Sequence, residues 1–209
     1  GFTAAEMADV FTAWNDTRLK SYLIEITAPV LGTKDAKSGK PLVDVILDTA
    51  GQKGTGRWSA MEAQDLGVPA TVIEAAVAAR GLSAQREQRL QAAKVFGSPV
   101  KKIGDALGDR KAALHALEQA LLAGKIAAYA QGFAVMARAS EVWNWNLPLG
   151  TIAKIWRAGC IIRSVFLDDI ARAYASGGPI ANLMFAVPFV DSLKETEGAL
   201  RKVVAAASL

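Results

Sequence analysis

The chain has 209 residues, of which 52% are hydrophobic and 21% are charged, and its formal net charge is +4. This composition supplies an ordinary globular core, while scattered cations without a basic stripe suit a small anionic ligand better than nucleic acid. One cysteine and one histidine exclude an internal disulfide and a Cys/His zinc site, so no metal is expected.

The first predicted element is a helix that begins after Thr3. Thr3 and Glu6 have the spacing of a capping box, and Phe2 and Met7 stand where the two residues of a hydrophobic staple would stand. Apolar residues then recur at helical spacing as far as Trp14. The start of the chain therefore predicts a capped, amphipathic helix.

Two apolar stretches before residue 50 are compatible with more than one structure. Tyr22–Ile26 continues towards Pro29, and its β-branched residues allow a strand as well as a helix. Thr33–Pro41 is a polar loop rich in lysine, aspartate and glycine. In Pro41–Asp48 the apolar residues alternate as in a strand, but the neighbouring alanine-rich segments favour a helix.

The segment Gly51–Trp58 combines three glycines, two cations and a hydroxyl residue. Successive N–H groups in such a turn form a concavity that suits oxyanions, and Lys53, Thr55 and Arg57 add positive charge and a hydroxyl donor. The glycines follow the order GxxGxG, which is neither a P-loop nor the dinucleotide fingerprint. The segment predicts an anion-binding loop, with phosphate as the first candidate, or a plain connector.

Helices are predicted through the rest of the chain. Ser59 is expected to cap a helix that ends near Gly67, and Pro69 to begin the next one in its first turn. Asp109 is expected to cap a long helix. The other predicted helices are Ala84–Phe96, Leu149–Ala158, Cys160–Ala175 and Ser192–Ala207, and the predicted breaks are Gly97–Gly108, Asn144–Pro148 and Ser176–Pro179. The pattern predicts one all-α domain over residues 1–209.

Several conspicuous side chains outside the glycine-rich segment are expected to be structural. Trp156, Cys160, Ile161 and Ile162 are of apolar types that are mostly interior, and they are predicted as the core of a buried helix. The other structural expectations are Trp143 and Trp145 as loop anchors, Tyr129 and Gln131 as a buried polar pair, and Arg163 as a paired charge, within the chain or across a dimer.

Six sequence motifs occur in order: Ser21–Thr27 (SYLIEIT), Ala50–Trp58 (AGQKGTGRW), Leu66–Pro69 (LGVP), Ala79–Ser83 (ARGLS), Tyr129–Phe133 (YAQGF) and Trp156–Leu167 (WRAGCIIRSVFL). Together they closely resemble the all-helical C-terminal domain of the 6-phosphogluconate dehydrogenases. The resemblance covers nearly the whole chain. Its most specific parts are the glycine-rich loop and the last motif.

The resemblance implies an oxidoreductase of the pentose phosphate pathway, active in gluconate utilisation. Enzymes of this family use NADP, and no metal, to convert 6-phosphogluconate to ribulose 5-phosphate and CO2. A hydride leaves C3, the 3-keto acid loses its carboxylate, and a lysine and a glutamate assist with proton transfer. Family members are homodimers whose helical domains form the interface, with the active site between the nucleotide domain and the helical domain.

The resemblance also assigns a phosphate site by position. Lys53 and Thr55 would bind the 6-phosphate of the sugar, and Arg80 would reach the same phosphate from the following helix. A phosphate dianion is well matched by a guanidinium fork and an ammonium group that approach from different directions. Taken singly, Thr55 would be a turn residue and Arg80 a solvated cation near a helix end. Arg57 stands where many relatives have lysine and is given no role.

Other parts of the family pattern are not found in the 209 residues. There is no GxGxxG unit, and the family's catalytic lysine and glutamate and its C-terminal tail are missing. We therefore expect no catalytic residue within this chain, and we expect NADP, or NAD in its place, to be bound mainly by an N-terminal domain. A chain that begins without methionine is expected to be a piece of a longer enzyme, inactive alone.

Two other functions remain open at this point. One is a non-catalytic helical dimerisation module, and the other is the helical domain of a related β-hydroxyacid dehydrogenase, a class that usually lacks the Lys-Gly-Thr-Gly loop. The expected partners are 6-phosphogluconate and a second copy of the chain. No membrane span is predicted, because glycine and proline interrupt the longest uncharged run, between Arg172 and Asp191. Without a secretory segment at the start, a cytoplasmic protein is expected.

Overall fold

The computed structural model describes residues 1–97, 106–176 and 180–208. Helices account for the regular structure of these ranges, beside two isolated β-bridges. The α-helices are α1 (Ala4–Trp14), α2 (Tyr22–Gly32), α3 (Leu42–Val45), α4 (Thr55–Asp65), α5 (Thr71–Ala84), α6 (Arg86–Phe96), α7 (Arg110–Val142), α8 (Leu149–Ile155), α9 (Phe166–Ala175) and α10 (Val187–Ala207). A 3₁₀ helix, Leu183–Phe185, precedes α10. The all-α prediction is confirmed, while most of the predicted break Gly97–Gly108 and of the turn Ser176–Pro179 lies outside the described residues.

Two compact units make up the chain. The first combines Gly1–Leu47 with Gly150–Gly178, and the second combines Asp48–Leu149 with Pro179–Leu209. The prediction of one domain over residues 1–209 stays a prediction. The glycine-rich segment and the helices α4 to α7, which follow it, belong to the second unit.

In the first unit, α1 packs against α2, and both helices are capped or held by specific bonds. The predicted capping box is confirmed: the Glu6 amide donates to Thr3 Oγ1 at 3.2 Å, and the Thr3 amide donates to Glu6 Oε2 at 2.7 Å. The open question at Tyr22–Ile26 is decided in favour of a helix, which continues through Pro29. Packing against α1 outweighs the β-branched content of this stretch.

The prediction of a helix from Cys160 to Ala175 is wrong in its first half. Gly159 has a left-handed φ of +67°, and Phe166 is the first helical residue. The intervening backbone pairs with the segment before α2 instead: the Val165 amide donates to Lys20 O, and the Tyr22 amide donates to Arg163 O. Ile161 is consequently 66% exposed. The predicted core roles of Trp156, Cys160 and Ile162 are also wrong, since Trp156 and Cys160 are only partly buried and Ile162 is exposed.

The predicted pairing of Arg163 is confirmed within the chain. Its Nη2 donates to Glu25 Oε2 at 2.6 Å, and its guanidinium lies 5.1 Å from the centre of the Tyr22 ring. These contacts fix the backbone of the segment before α9 to the start of α2.

The second unit is built around α7, a helix of 33 residues that packs against α10, α5 and the 3₁₀ helix. By length and composition alone α7 could cross a membrane, and it is the one such helix in the part of the chain that the structure describes. Part of its apolar surface is buried in this unit, because Phe133, Ile126 and Leu122 are each 2% exposed or less. α7 ends at Val142, where Asn144 and Asn146 adopt left-handed φ and Trp143 lies 4.6 Å from Trp145 between ring centres.

Asp109 caps α7 as predicted, and its removal should lower the stability of the second unit. The Ala112 amide donates to Asp109 Oδ1 at 2.8 Å. We expect Asp109→Ala to lower the free energy of unfolding by about 1 kcal/mol, because one amide of the first turn loses its acceptor. Urea unfolding followed by circular dichroism measures this. Asp109→Asn should be nearly neutral, since asparagine is an equally good cap; equal losses in both variants would contradict a capping role.

Two predicted helix starts are wrong. α4 begins at Thr55, and Ser59 lies inside it, where its hydroxyl donates back to Thr55 O at 3.0 Å. α5 begins at Thr71 rather than in the turn with Pro69, because a distant side chain supplies the cap. Gln131 of α7 accepts from the Val72 amide at 2.9 Å and donates to Thr71 Oγ1 at 3.2 Å, so its amide group is engaged by α5.

Candidate functional site

The segment of residues 48–54, called here the glycine loop, ends where α4 begins. Gly54 is the residue before the helix and has φ +107° and ψ −29°, a conformation that L side chains rarely adopt. Its carbonyl accepts from the Trp58 amide at 2.9 Å, and an added Cβ would lie 3.5 Å from the Trp58 ring. Gly54 is buried although both of its neighbours are exposed. The backbone conformation with which the chain enters α4 is therefore one that only glycine adopts without strain.

The first turn of α4 offers an anion-binding environment. Its first amides have no partner within the helix, and the aligned peptide dipoles place partial positive charge there. The first turn contains no acidic residue. Lys53 and Thr55 flank Gly54, and both are exposed. Because the helix begins four residues earlier than Ser59, these two predicted residues stand at its positive end rather than in a distant loop.

Arg80 approaches the same loop from α5. Its Nε and Nη2 both donate to the carbonyl oxygen of Gly51, at 3.1 and 2.5 Å. Gly51 is two residues before Lys53, so the structure brings all three predicted site residues to one segment. The carbonyl is uncharged, so this bond does not offset the charge of Arg80, and its Nη1 bonds to no other group in ranges 1–97, 106–176 and 180–208. Arg80 thus makes a structural bond that the sequence did not predict. It also keeps further N–H donors that a ligand could accept from.

α5 presents one face to the glycine loop. Gln52 Nε2 donates to Val77 O at 3.0 Å, and the Ala50 amide donates to Ser83 Oγ at 3.1 Å. Val77, Arg80 and Ser83 are three residues apart, so they lie on one side of the helix. This spacing is the signal that could have revealed the contact face. α4 also comes close to α5, because a Cβ added to Gly56 would lie only 3.2 Å from Val77 Cγ2.

A second arginine holds the start of the loop. Arg89 of α6 donates from Nη1 to Asp48 Oδ2 at 2.9 Å and from Nη2 to Asp48 O at 2.7 Å. Hydrogen bonding by this guanidinium, followed by its positive charge, lowers the pKa of the Asp48 carboxyl below its ordinary value of 3.8. Asp48 is therefore ionised at neutral pH and offsets the charge of Arg89. Sequence reasoning did not identify either residue.

The chemistry that this arrangement offers is binding of an anion. Lys53, Arg57 and Arg80 are exposed cations on or beside the loop. Among the described residues, no group of three or more His, Cys, Asp or Glu side chains could hold a metal ion. Backbone amides, one hydroxyl group and cations from two elements match the oxygen atoms of a phosphate ester. No ligand contact tests the assignment of Lys53, Thr55 and Arg80, which stays a prediction.

Comparison with known proteins decides the family. The family model described as 6-phosphogluconate dehydrogenase, C-terminal domain, matches residues 1–209. The chain belongs to this family. The resemblance carried by the six sequence motifs is thereby confirmed.

Curated relatives of the 6-phosphogluconate dehydrogenase family match along almost the whole chain. The "6-phosphogluconate dehydrogenase, NAD(+)-dependent, decarboxylating" of Bacillus subtilis is 48% identical over 95% of this chain. The "6-phosphogluconate dehydrogenase, decarboxylating 1" of Saccharomyces cerevisiae is 48% identical over 100% of it. In each case the match covers 42% of the relative, so the chain spans less than half the length of these proteins.

A solved structure shows the same fold. The 6-phosphogluconate dehydrogenase of Plasmodium falciparum superimposes with a TM-score of 0.88 at 40% identity, over 99% of this chain and 44% of that one. That protein is described in its apo form, in complex with its cofactor NADP+ and in complex with its substrate 6-phosphogluconate. The chain therefore has the fold of the part of that protein which it matches.

Proposed function

We propose that this chain is the substrate-binding helical domain of an enzyme that oxidatively decarboxylates 6-phosphogluconate to ribulose 5-phosphate and CO2 with reduction of NADP. The observation that carries the proposal is that Lys53 and Thr55 flank Gly54 at the start of α4, while the Arg80 guanidinium donates to the carbonyl oxygen of Gly51 in the same loop. The family membership and the relatives' names support the same reaction.

In this proposal the domain holds the phosphate end of the sugar. Lys53 contributes an ammonium point charge, Thr55 a hydroxyl donor, and Arg80 the donors that Gly51 does not use. The free amides of the first turn of α4 complete the set. Holding the phosphate orients the sugar, which brings the carbons that react to a fixed distance from this anchor. The groups that move the hydride and protons are expected outside these 209 residues.

The described residues supply no dinucleotide-binding unit for the nicotinamide cofactor. Within them there is no β-strand, and so no βαβ unit of the kind that holds a dinucleotide. Relatives named as NAD(+)-dependent and as NADP(+)-dependent are 48% and 46% identical to this chain. Because both kinds match this domain closely, we propose that NADP, or NAD in its place, is bound mainly by another domain, which also sets the preference.

We further propose that residues 1–209 act as one domain, that the enzyme is a cytoplasmic homodimer, and that 6-phosphogluconate is its substrate in the pentose phosphate pathway. Family likeness supports the dimer and the location. The exposed cations of the glycine loop support the anionic substrate.

Titration of the 209-residue chain with 6-phosphogluconate, measured by calorimetry, tests the proposal. We expect weak but measurable binding, and no detectable heat from gluconate, which has the same sugar acid without the phosphate. Lys53→Ala should weaken binding by ~1.5–3 kcal/mol, because one charge-assisted contact is lost. Lys111→Ala, which removes an exposed lysine at the start of α7, is the matched control and should bind like the wild type.

Two results would contradict the proposed phosphate site. One is equal binding of gluconate and 6-phosphogluconate, which would mean that the phosphate makes no contact. The other is equal loss of binding in Lys53→Ala and Lys111→Ala, which would mean that the effect is one of net charge and not of this loop.

A further inference from the structure

The start of the glycine loop is held by a set of bonds that converge on Arg89 and Ser83. Arg89 Nη2 donates both to Asp48 O at 2.7 Å and to Ser83 O at 3.2 Å. Ser83 O also accepts from Thr49 Oγ1 at 3.2 Å, and Ser83 Oγ accepts from the Ala50 amide at 3.1 Å. One guanidinium thus joins the last turn of α5 to the first residue of the loop.

The position of Ser83 explains why these bonds hold the loop firmly. Ser83 is the penultimate residue of α5, so its carbonyl has no partner within the helix. The guanidinium and the hydroxyl group that donate to this carbonyl satisfy it, and the positive charge of the guanidinium interacts favourably with the negative end of the helix dipole. The same helix carries Arg80, whose guanidinium donates to Gly51 O. Residues 48–51 are therefore fixed to α5 along two successive turns.

The two arginines differ in what they leave available to a ligand. Arg89 is bonded to a carboxylate and two carbonyls, and its side chain is 28% exposed. Its charge is offset by Asp48. Arg80 donates only to a neutral carbonyl among the described residues, and it is exposed. An anion near the loop would therefore meet the charge of Arg80 and of Lys53, while Arg89 is occupied with the protein itself.

We propose that Arg89 is a positioning residue, which holds the glycine loop in the conformation that receives the substrate phosphate by bonding Asp48 and Ser83 and without touching the ligand. This inference rests on the proposed function. It assigns the positioning to the two carbonyl bonds rather than to the ion pair. The ion pair is exposed on its Asp48 side, where water screens it.

Calorimetric titration with 6-phosphogluconate, together with amide hydrogen exchange of residues 49–54, tests the inference on four variants of the 209-residue chain. Arg89→Gln should weaken binding about tenfold, the lower end of what the loss of hydrogen bonds made by a charged group costs. Arg89→Lys keeps the positive charge but cannot reproduce the guanidinium bonds to the two carbonyl oxygens, so its affinity should be little higher than that of Arg89→Gln. Asp48→Asn keeps the acceptor carbonyl and should weaken binding by less than about fivefold. Arg138→Gln, which breaks an exposed pair with Glu141 on α7, is the matched control.

Hydrogen exchange separates positioning from general loss of structure. In Arg89→Gln the Ala50 amide should exchange at least about tenfold faster, since its acceptor Ser83 is no longer held, while amides in the middle of α7 keep their wild-type rates. Wild-type affinity in a folded Arg89→Gln variant overturns the inference and leaves the proposed function standing. Full rescue of affinity by Arg89→Lys also overturns it, because charge alone would then suffice.

A wild-type chain that binds no phosphate ester would sink the proposed function by itself. The exchange measurement then still decides the structural half of the inference. Unchanged exchange over residues 49–54 in Arg89→Gln would show that Arg89 does not hold the loop, and the inference would fall independently.

Discussion

Replacing Arg80 by alanine should weaken 6-phosphogluconate binding more than any other single charge removal in this chain. Two effects combine at this position. The ligand loses a charge-assisted contact, worth ~1.5–3 kcal/mol, which corresponds to about 10- to 150-fold in affinity. The glycine loop also loses the two bonds that Arg80 makes to Gly51 O. Calorimetric titration of the 209-residue chain measures the total.

Arg80→Lys distinguishes the two roles. Lysine restores a positive charge but cannot donate from two nitrogens to one carbonyl while keeping further donors for a phosphate. We expect affinity between those of the wild type and Arg80→Ala, with a salt dependence close to that of the wild type. Arg201→Ala, which removes an exposed arginine paired with Glu197 on α10, serves as the control. Wild-type affinity in Arg80→Ala would remove Arg80 from the site altogether.

The sequence predicts the parts of this fold that depend on local chemistry. Thr3 and Asp109 are caps because their oxygens reach amides only three residues ahead, and such bonds are fixed by spacing alone. The anion-binding character of Gly51–Trp58 is likewise visible in its residue types. These predictions need no knowledge of what lies elsewhere in the chain.

The errors occur where a distant group decides the local structure. α5 starts at Thr71 because Gln131, 60 residues further on, bonds to its first turn. The segment after Gly159 is irregular because its backbone pairs with residues before α2. In both places the local pattern favoured a different helix boundary, and tertiary bonds prevailed.

The residues of the candidate site also fall into those that local sequence reveals and those that distant contacts determine. Lys53 and Thr55 stand out by composition, and Arg80 was assigned to the same site only through the family resemblance. Arg89 was missed because two of its three acceptors are backbone carbonyls, one of them 41 residues away, and any residue type supplies a carbonyl. Sequence patterns reveal side chains of unusual chemistry far better than the ordinary arginines that hold a loop in place.

Replacing Gly54 by alanine should abolish measurable binding while leaving the chain folded. At φ +107° a residue with a Cβ costs about 1–3 kcal/mol, and the backbone relieves this strain by changing its dihedral angles. Such a change moves the amides of the first turn of α4 together with Lys53 and Thr55, the two neighbours of Gly54. A displacement of about 1 Å is enough to cost about a hundredfold where several donors must converge on one group.

Gly67 provides a matched control at the other end of α4. It has φ +67°, and an added Cβ would meet no atom within 4 Å. Gly67→Ala should therefore lower thermal stability by a similar strain, on the order of 1–2 kcal/mol, yet bind 6-phosphogluconate like the wild type. Calorimetry and thermal unfolding of both variants separate the loss of a ligand site from the loss of stability. If the two variants lost affinity equally, strain in the unit as a whole would be responsible, and the junction at Gly54 would have no special part in binding.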